Sequence, residues 1–310
     1  MAGQVQALRR RIRTVRSTKK IAKAQELVAT SRIARAQERV AASKPYAEAI
    51  TKVLTALASH TTIDNPLLQP RARVRRAGVL LITSDRGLAG AYNANAIRTC
   101  EQLSARLRAD GKEVSLYVIG RKGVSYYRFR NRPIAASWTG FSERPSFADA
   151  RRVGESLLEA FTAGVDDADN HHGPDGIQGV DELHIVSTRF QSLMSQSAEA
   201  HFLAPMQVEE TERDPGLRPA YEFEPEADEL LDALLPKYLN TRIYAALLDS
   251  AASESASRRR AMKAASDNAD DLLKRYTREM NSARQAAITQ EISEIVGGVE
   301  ALSASGSDGR

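Results

Sequence analysis

The sequence has 310 residues, which is enough for one ordinary domain with long extended elements or for two domains. Apolar residues make up 42% and aromatic residues 5%, which allows a core but indicates Ala-rich helix packing rather than an aromatic interior. The single cysteine, Cys100, excludes an internal disulfide and a cysteine metal cluster, and no apolar run approaches the roughly 18–20 residues of a membrane span.

The N-terminal segment is strongly basic, although the whole chain carries a net charge of only +5. Residues 1–44 contain twelve Lys and Arg and two acidic residues, Glu26 and Glu38. Such a segment is typical of binding to nucleic acid, anionic lipid or an acidic protein, and Arg-rich transit peptides share its charge. The segment is poor in Ser and continues without a break into a helical pattern, which favours part of the mature protein.

A long helix is predicted for the N-terminal region. Residues 4–44 contain no Gly or Pro, and apolar residues recur at three- and four-residue intervals, the spacing of a helix seam. The predicted seam comprises Val5, Leu8, Ile12, Val15, Ile21, Val28, Ile33 and Val40. Further apolar positions continue the pattern past Pro45, so residues 1–60 are assigned to one coiled-coil helix.

The middle of the chain changes to an α/β pattern. Buried strands are predicted at residues 79–83, 114–119 and 183–187 and within 198–206. Helices are predicted at residues 93–109 and 147–163. This alternation predicts a small Rossmann-like α/β domain with a largely parallel sheet, assigned to residues 75–210. A polar, turn-rich stretch at residues 166–179 is predicted to be a solvent loop within it.

A second long helix is predicted near the C-terminus. Residues 237–296 contain no Gly or Pro, and a helix of that length would extend roughly 90 Å. Its predicted seam comprises Ala269, Leu273, Tyr276, Met280, Ala283 and Ala287 and then, after a slip of one residue, Ile288, Ile292 and Ile295. The helix is assigned to residues 226–302, with Gly297-Gly298 as a candidate end and residues 303–310 as a disordered tail.

Two long helices with thin apolar stripes favour pairing with each other. The predicted fold is therefore α/β plus a long antiparallel coiled coil of the N- and C-terminal helices, with the small α/β domain between them in sequence. So much helix outside a globular domain indicates an architectural or mechanical role.

The C-terminal helix carries a pattern that resembles a known signature. Ile-Thr is followed by Glu two residues later, an acidic residue three further on and then Gly, at Ile288, Thr289, Glu291, Glu294 and Gly298. This pattern is similar to the signature of the gamma subunits of F-type ATP synthases. Val299 stands where that family prefers Ala.

Other blocks resemble the same family and keep its order. They are Arg11-Ile12, residues 18–21 and 28–31, the loop Ser84 to Asn93, Gly120 to Gly123, Phe190 to Ser192, and the separate positions 253–254, 259, 261–263 and 268–269. Ala89 and Ala91 replace a Cys and a Gly of the family pattern, and Gln25-Glu26-Leu27 stands where members are usually Met-rich. The loop at 166–179 looks like an insertion similar to that of actinobacterial members. The resemblance covers nearly the whole chain.

The resemblance implies a non-catalytic rotor shaft that binds no cofactor. In the family, the two long helices stand inside a ring of three alpha and three beta subunits, and the α/β domain lies near the epsilon subunit and the membrane c ring. One copy would couple proton flow through the c ring to ATP synthesis or hydrolysis. The implied location is peripheral, at the cytoplasmic face of a bacterial plasma membrane.

The resemblance also implies contact residues. Polar contacts with the alpha/beta ring are expected at Arg284, Gln285, Thr289 and Glu291. A basic face expected to meet acidic loops of beta comprises Arg9, Arg10, Arg13, Arg16, Lys19, Lys20 and Lys23. Contacts with the c ring or epsilon are expected at Tyr221, Glu222, Phe223 and Glu224. The alternatives are solvated helix faces for the first two sets and a loop folded over its own domain for the third.

Two loops receive separate interpretations. Asp166, Asp169, His171, His172 and Asp175 could chelate a metal, but adjacent side chains on a loop make a poor preformed site, so a regulatory loop is the preferred hypothesis. The loop Ser84 to Asn93 follows a strand, as phosphate-binding loops do. It lacks the glycine patterns of nucleotide sites, so a structural turn is predicted.

Two other functions are consistent with parts of the sequence. The basic N-terminal segment favours a coiled-coil nucleic-acid-binding protein, although base-stacking aromatics near the charge are missing. The central domain with Gly87 and Gly90 favours a nucleotide-dependent α/β enzyme with helical arms. No catalytic Ser/His/Asp or Cys/His set is evident in the sequence.

Overall fold

Two long helices begin and end the part of the chain that the structure describes. In the computed structural model, residues 2–58, 65, 67–69, 71, 74–164, 179–206 and 226–305 are described. Helix α1 spans Ala2–Ala58 and continues through Pro45, and the C-terminal helix, α5, spans Ala227–Ser305.

The remaining elements lie between these helices in sequence. Strands β1 to β5 span Arg76–Ile82, Glu113–Ile119, Ala136–Trp138, Glu182–Phe190 and Gln196–Ala204. Helices α2, α3 and α4 span Tyr92–Ala109, Arg121–Phe129 and Phe147–Ala163.

The chain divides into two compact units. We call Ala29–Arg259 the α/β unit, and Met1–Val28 together with Arg260–Arg310 the helical unit. Each long helix contributes one part to each unit, so α1 and α5 are the covalent connections between them.

The sheet of the α/β unit has the order β3-β2-β1-β4-β5. The first four strands run parallel, and β5 is antiparallel to β4. In the central strand, Leu80 pairs with Tyr117 on one side and with Ile185 on the other. All seven residues of β1 are buried, as expected for a parallel strand with helices on both faces.

Two apolar layers cover the sheet. On one face, Leu54 of α1, Leu157 of α4 and Leu239 of α5 form a core with the side chains of Leu80 and Ile82. On the other face, residues of α2 and α3 pack against the alternate β1 residues, including Val79 and Leu81. Each fully buried leucine of these layers contributes about 1.5–3 kcal/mol to folding, so the domain is held chiefly by this two-sided burial.

Local sequence signals account for the limits of α4. The Ser146 hydroxyl accepts the Asp149 backbone N–H, and the Asp149 carboxylate accepts the Ser146 backbone N–H, which forms a capping box. Gly164 follows the last turn with a φ of 59°. The predicted helix at residues 147–163 therefore agrees with the observed Phe147–Ala163.

Two elements of the domain were missed by the sequence interpretation. Helix α3 and strand β3 are short, at nine and three residues, so neither repeats an apolar pattern over enough turns or alternations to be assigned from sequence. Strand β3 forms where Trp138 stacks on Tyr117 of the neighbouring strand, with ring centroids 6.5 Å apart. The four predicted strands are present, although β1 and β4 are longer than expected and β5 begins two residues earlier, at Gln196.

The helical unit contains the buried seam of the coiled coil. Leu8 and Ile12 are buried as predicted, but Ile21 and Val28 are 58% and 51% exposed, so their assignment to the seam is wrong. A heptad repeat that starts at Leu8 and Ile12 reaches positions 19 and 22 rather than 21. Ala22 is accordingly buried, and the Lys19 ammonium lies 2.5 Å from Asp270 of α5.

The corrected seam predicts unequal effects of two isoleucine substitutions. Ile12→Ala should loosen the helical unit by about 2 kcal/mol, because it removes buried methyl groups from the helix pair. Amide hydrogen exchange over residues 2–28 should then rise more than about tenfold. The exposed Ile21→Ala should change exchange by no more than about twofold. Equal exchange in the two variants would contradict the seam.

The last part of α5 departs from the predicted pattern. Ile288, Ile292 and Ile295 are 44%, 56% and 67% exposed, so the slipped continuation of the seam is wrong. Because Lys19 faces Asp270 in an antiparallel pair, the start of α1 lies level with about residue 287. Beyond that level, none of the described residues of α1 lies beside α5. The helix also continues through Gly297-Gly298 to Ser305, so the glycine pair is not its end.

Candidate partner-binding surface

The basic residues of α1 divide between solvent and internal ion pairs. Arg9, Arg10, Arg13, Arg16, Lys20 and Lys23 are exposed. Lys19 is half-buried against α5 through Asp270, and Lys23 also pairs with Glu26 at 3.0 Å. Lys19 therefore has a structural use within the helix pair, whereas the exposed arginines present a cationic face. Contact of this set with a partner remains a prediction.

The predicted contact residues near the end of α5 are accessible to solvent. Arg284, Gln285, Thr289 and Glu291 are all exposed. The Thr289 hydroxyl donates to the Gln285 carbonyl at 3.0 Å, which is a local helix contact. Their role in binding a partner likewise remains a prediction.

Exposed apolar side chains lie next to those polar residues. Ile288, Ile292, Ile295, Val296 and Val299 are between 44% and 67% exposed along the same part of α5. Several large apolar side chains on one solvent-exposed helix are typical of an interaction surface. We call residues 284–299 the α5 end surface.

Two predicted sets lie outside the described residues. These are Tyr221, Glu222, Phe223 and Glu224, and the loop residues Asp166, Asp169, His171, His172 and Asp175. Both assignments stay predictions. Within the described part of the chain, no group of three or more His, Cys, Asp or Glu is arranged to hold a metal ion.

The loop after β1 is held by hydrogen bonds inside the α/β unit. The Asp85 carboxylate accepts backbone N–H groups of Arg121, Gly140 and Ser142 at 2.8–3.1 Å. The Asn93 side chain accepts the Ser84 N–H at 2.9 Å. These hydrogen bonds connect the loop to the segments that follow the neighbouring strands, as expected for a loop with a structural role.

A charge cluster that is largely buried, with Arg86 on its exposed side, lies where this loop meets the two long helices. Arg258 of α5 donates from Nη2 to Glu254 Oε1 at 2.7 Å, and its Nη1 lies 3.2 Å from Glu143 Oε1. Glu143, in the loop between β3 and α4, also lies 2.5 Å from Arg32 Nη1 and 3.9 Å from Arg86 Nη1. We call Arg32, Arg86, Glu143, Glu254 and Arg258 the Glu143 cluster.

The Glu143 cluster joins four segments that are distant in sequence. Arg258 also donates to the Arg86 and Gly87 carbonyls at 3.2 and 3.3 Å, so α5 is tied to the loop as well as to the carboxylates. Burial raises the pKa of Glu254, and the neighbouring Arg258 opposes that rise. Buried charges are tolerated only when their partners remain in place. The cluster therefore fixes α1 and α5 to the loop near the limits of the α/β unit.

Sequence reasoning did not single out this cluster. The four-residue spacing of Glu254 and Arg258 on one helix was a readable signal for an ion pair. Glu143 lies in a loop without a motif, and its partners Arg32 and Arg258 are more than a hundred residues away on either side. Only the fold brings these charges together.

Comparison with known proteins identifies the family. The family described as ATP synthase matches residues 4–302. The ATP synthase gamma chain of Salinispora arenicola is 75% identical over 99% of this chain and 100% of its own length. That of Mycolicibacterium smegmatis is 58% identical over 98% and 100%. The chain belongs to the family of ATP synthase gamma chains. It is thus a subunit of an ATP synthase, and the resemblance to actinobacterial members is confirmed.

Solved structures share the fold of this gamma-family chain at low sequence identity. A chain of the Euglena gracilis mitochondrial ATP synthase has a TM-score of 0.64 at 16% identity, covering 98% of this chain and 96% of that one. A chain from the Tetrahymena thermophila enzyme has a TM-score of 0.57 at 21% identity, covering 79% and 99%. The predicted combination of an α/β domain with paired terminal helices is confirmed.

The comparisons give no support to the nucleic-acid alternative for this gamma-family chain. Contact of the basic face of α1 with acidic loops of a protein partner stays a prediction. Among the described helices, none combines the length and the apolar character that a membrane crossing needs.

Proposed function

We propose that this chain is the asymmetric central shaft of an F-type ATP synthase and carries no catalytic site itself. It turns inside a ring of three alpha and three beta subunits and couples proton flow through the membrane c ring to ATP synthesis or hydrolysis. One copy per complex, contact with epsilon, and a peripheral position at the cytoplasmic face of the membrane belong to the same proposal.

The observation that carries the proposal is the family membership over nearly the full chain, at up to 75% identity. Two of the structures that share its fold support the shaft role, because one is a central stalk with its c ring and the other is a rotor of a mitochondrial ATP synthase. The paired helices of the helical unit agree with this role, since a shaft needs a stiff element outside the globular domain.

The α5 end surface suits a contact that changes as the shaft turns. One chain among three equivalent catalytic sites presents a different face to each, so rotation changes the contacts that each site receives. Differential contacts of this kind shift the populations of the surrounding subunits. The exposed Arg284 and Glu291 supply charge, and the neighbouring isoleucines supply apolar area.

Co-expression with alpha and beta subunits of an actinobacterial ATP synthase tests the proposal. We expect the three chains to purify together and to hydrolyse ATP, whereas alpha and beta without this chain should lack that activity. Equal hydrolysis with and without the chain, or failure of the chain to join the complex, would reject the shaft role.

A double substitution tests the α5 end surface inside that complex. Arg284→Ala with Glu291→Ala should lower ATP hydrolysis about five- to tenfold, because each lost polar contact is worth about 0.5–1.5 kcal/mol. The matched control is Arg275→Ala with Glu279→Ala, which removes an exposed pair on the same helix. Its activity should stay within about twofold of the parent. Equal losses in the two variants would show that the end surface has no special role.

A further inference from the structure

An open groove lies between α2 and α3, on the sheet face opposite α4 and α5. Its volume is about 830 Å³. The side chains that form its apolar part are Ile97, Tyr126 and Phe129. None of its residues is among the contact residues predicted from the sequence.

The apolar part of the groove contains an exposed aromatic ring. Phe129, the last residue of α3, is 86% exposed. Two other apolar residues of the same helix, Val124 and Tyr127, are buried. Ile97 forms the buried floor at 7% exposure, and Tyr126 is half-buried. An exposed phenylalanine beside a buried apolar floor is a feature of surfaces that bury an apolar side chain of a partner.

The rim of the groove is basic. Arg98, Lys122 and Arg130 are exposed, and the Arg130 guanidinium lies over the Tyr126 ring at 3.9 Å from its centroid. The carboxylate in the groove, Glu101, is engaged by Arg132 at 2.5 Å. The sequence Arg121–Phe129 contains no acidic residue. A partner that enters here meets positive charge on both sides of an apolar floor.

We propose that this groove binds an acidic amphipathic helix of a partner polypeptide. A groove between two helices matches the shape of a third helix, with apolar residues at intervals of three and four as anchors. The nine residues of α3 extend about 13 Å, which accommodates two to three turns of a bound helix. Glutamates on the partner would face the basic rim, which provides complementary charge and faster association.

Binding of a designed peptide to the full-length chain tests the proposal. The probe is a fluorescein-labelled helical peptide of about five turns, with Leu and Phe on one face and Glu on the other. Fluorescence anisotropy at about 0.15 M salt measures affinity where long-range charge effects are screened. We expect saturable binding that Phe129→Ala weakens about fivefold and Lys122→Glu with Arg130→Glu weakens more than about tenfold.

The controls separate a groove from general attraction to positive charge. Arg106→Glu with Arg108→Glu makes the same charge change on exposed residues of α2 outside the groove, and it should weaken binding less than about threefold. A peptide of the same composition with its apolar residues scattered should not saturate. Circular dichroism confirms that each variant is folded. The proposal is overturned by equal losses in the two double variants, by equal binding of the scattered peptide, or by no binding of the probe.

Discussion

Replacing Arg258 with methionine should destabilise the α/β unit by about 3–5 kcal/mol, the cost of removing one partner from a buried ion pair. The substitution leaves Glu254, which is fully buried, and Glu143 without their shared cation. It also removes the donor to the Arg86 and Gly87 carbonyls. Denaturant unfolding of the full-length chain measures the loss.

The neighbouring residue provides the control for this prediction. Arg259 is the next residue of α5, is half-buried, and does not belong to the Glu143 cluster. Arg259→Met therefore makes the same chemical change outside the cluster, and it should lower the free energy of unfolding by less than about 1 kcal/mol. Adding Glu254→Gln to Arg258→Met should recover part of the lost stability, because it removes the buried negative charge. An Arg258→Met variant as stable as Arg259→Met would show that the Glu143 cluster does not hold the helices.

The same variant should be sensitive to pH in a defined direction. Burial already raises the pKa of Glu254, so its folded state favours the proton more than the unfolded state does. A group whose pKa is raised by folding stabilises the folded state most when it is protonated. Its contribution to the free energy of unfolding is therefore fully present below the unfolded pKa, about 4.3, and is lost as pH rises through the folded pKa. The Arg258 guanidinium lowers the pKa of Glu254, so its removal raises that pKa further in the folded variant. The penalty of Arg258→Met should therefore shrink as pH falls from neutral towards that range.

Gly120→Ala should destabilise the α/β unit by about 3–5 kcal/mol, through two separate costs. Gly120 follows β2 with a φ of +95°, a conformation that costs a residue with a Cβ about 1–3 kcal/mol. A Cβ at this position would also overlap the Thr83 carbonyl oxygen, so the backbones of two neighbouring strands would have to move apart. The same displacement would disturb the Gly120 N–H bond to the Trp138 carbonyl.

A second glycine separates the two causes. Gly111 has a φ of +80°, but no atom lies within 4 Å of the place that a Cβ would occupy, so Gly111→Ala meets the conformational cost alone. We expect about 1–2 kcal/mol for it by denaturant unfolding. If both variants lose the same stability, the close approach of Thr83 is not what requires glycine at position 120.

Several elements of this protein could be predicted from its sequence because they depend on local signals. The α4 limits follow from a capping box, and the strands β1 and β2 follow from short apolar runs between turn residues. The two long helices follow from the absence of Gly and Pro over long segments. The family resemblance rested on residues in the same segments, and the comparisons confirmed it.

Other features depend on contacts that the sequence does not display. The assignment of Ile21 and Val28 to the seam was wrong because apolar character alone does not show which residues face the partner helix. The seam positions are taken instead by the small Ala22 and by Lys19, which pairs with Asp270. The continuation at Ile288 was wrong because the partner helix begins level with about residue 287. Strand β3 needs the sheet edge and the Trp138 stack, since three residues have no stable conformation alone.

The sequence by itself therefore determined the class of the protein, its long helices and most of its sheet, because helix periodicity, turn residues and family motifs are properties of contiguous residues. The tertiary structure alone decided which helix faces are buried, where α5 extends past the described start of α1, and how Glu143 meets Arg32 and Arg258. The physical reason is that burial and charge pairing depend on distances in space, which chain folding sets between residues far apart in sequence.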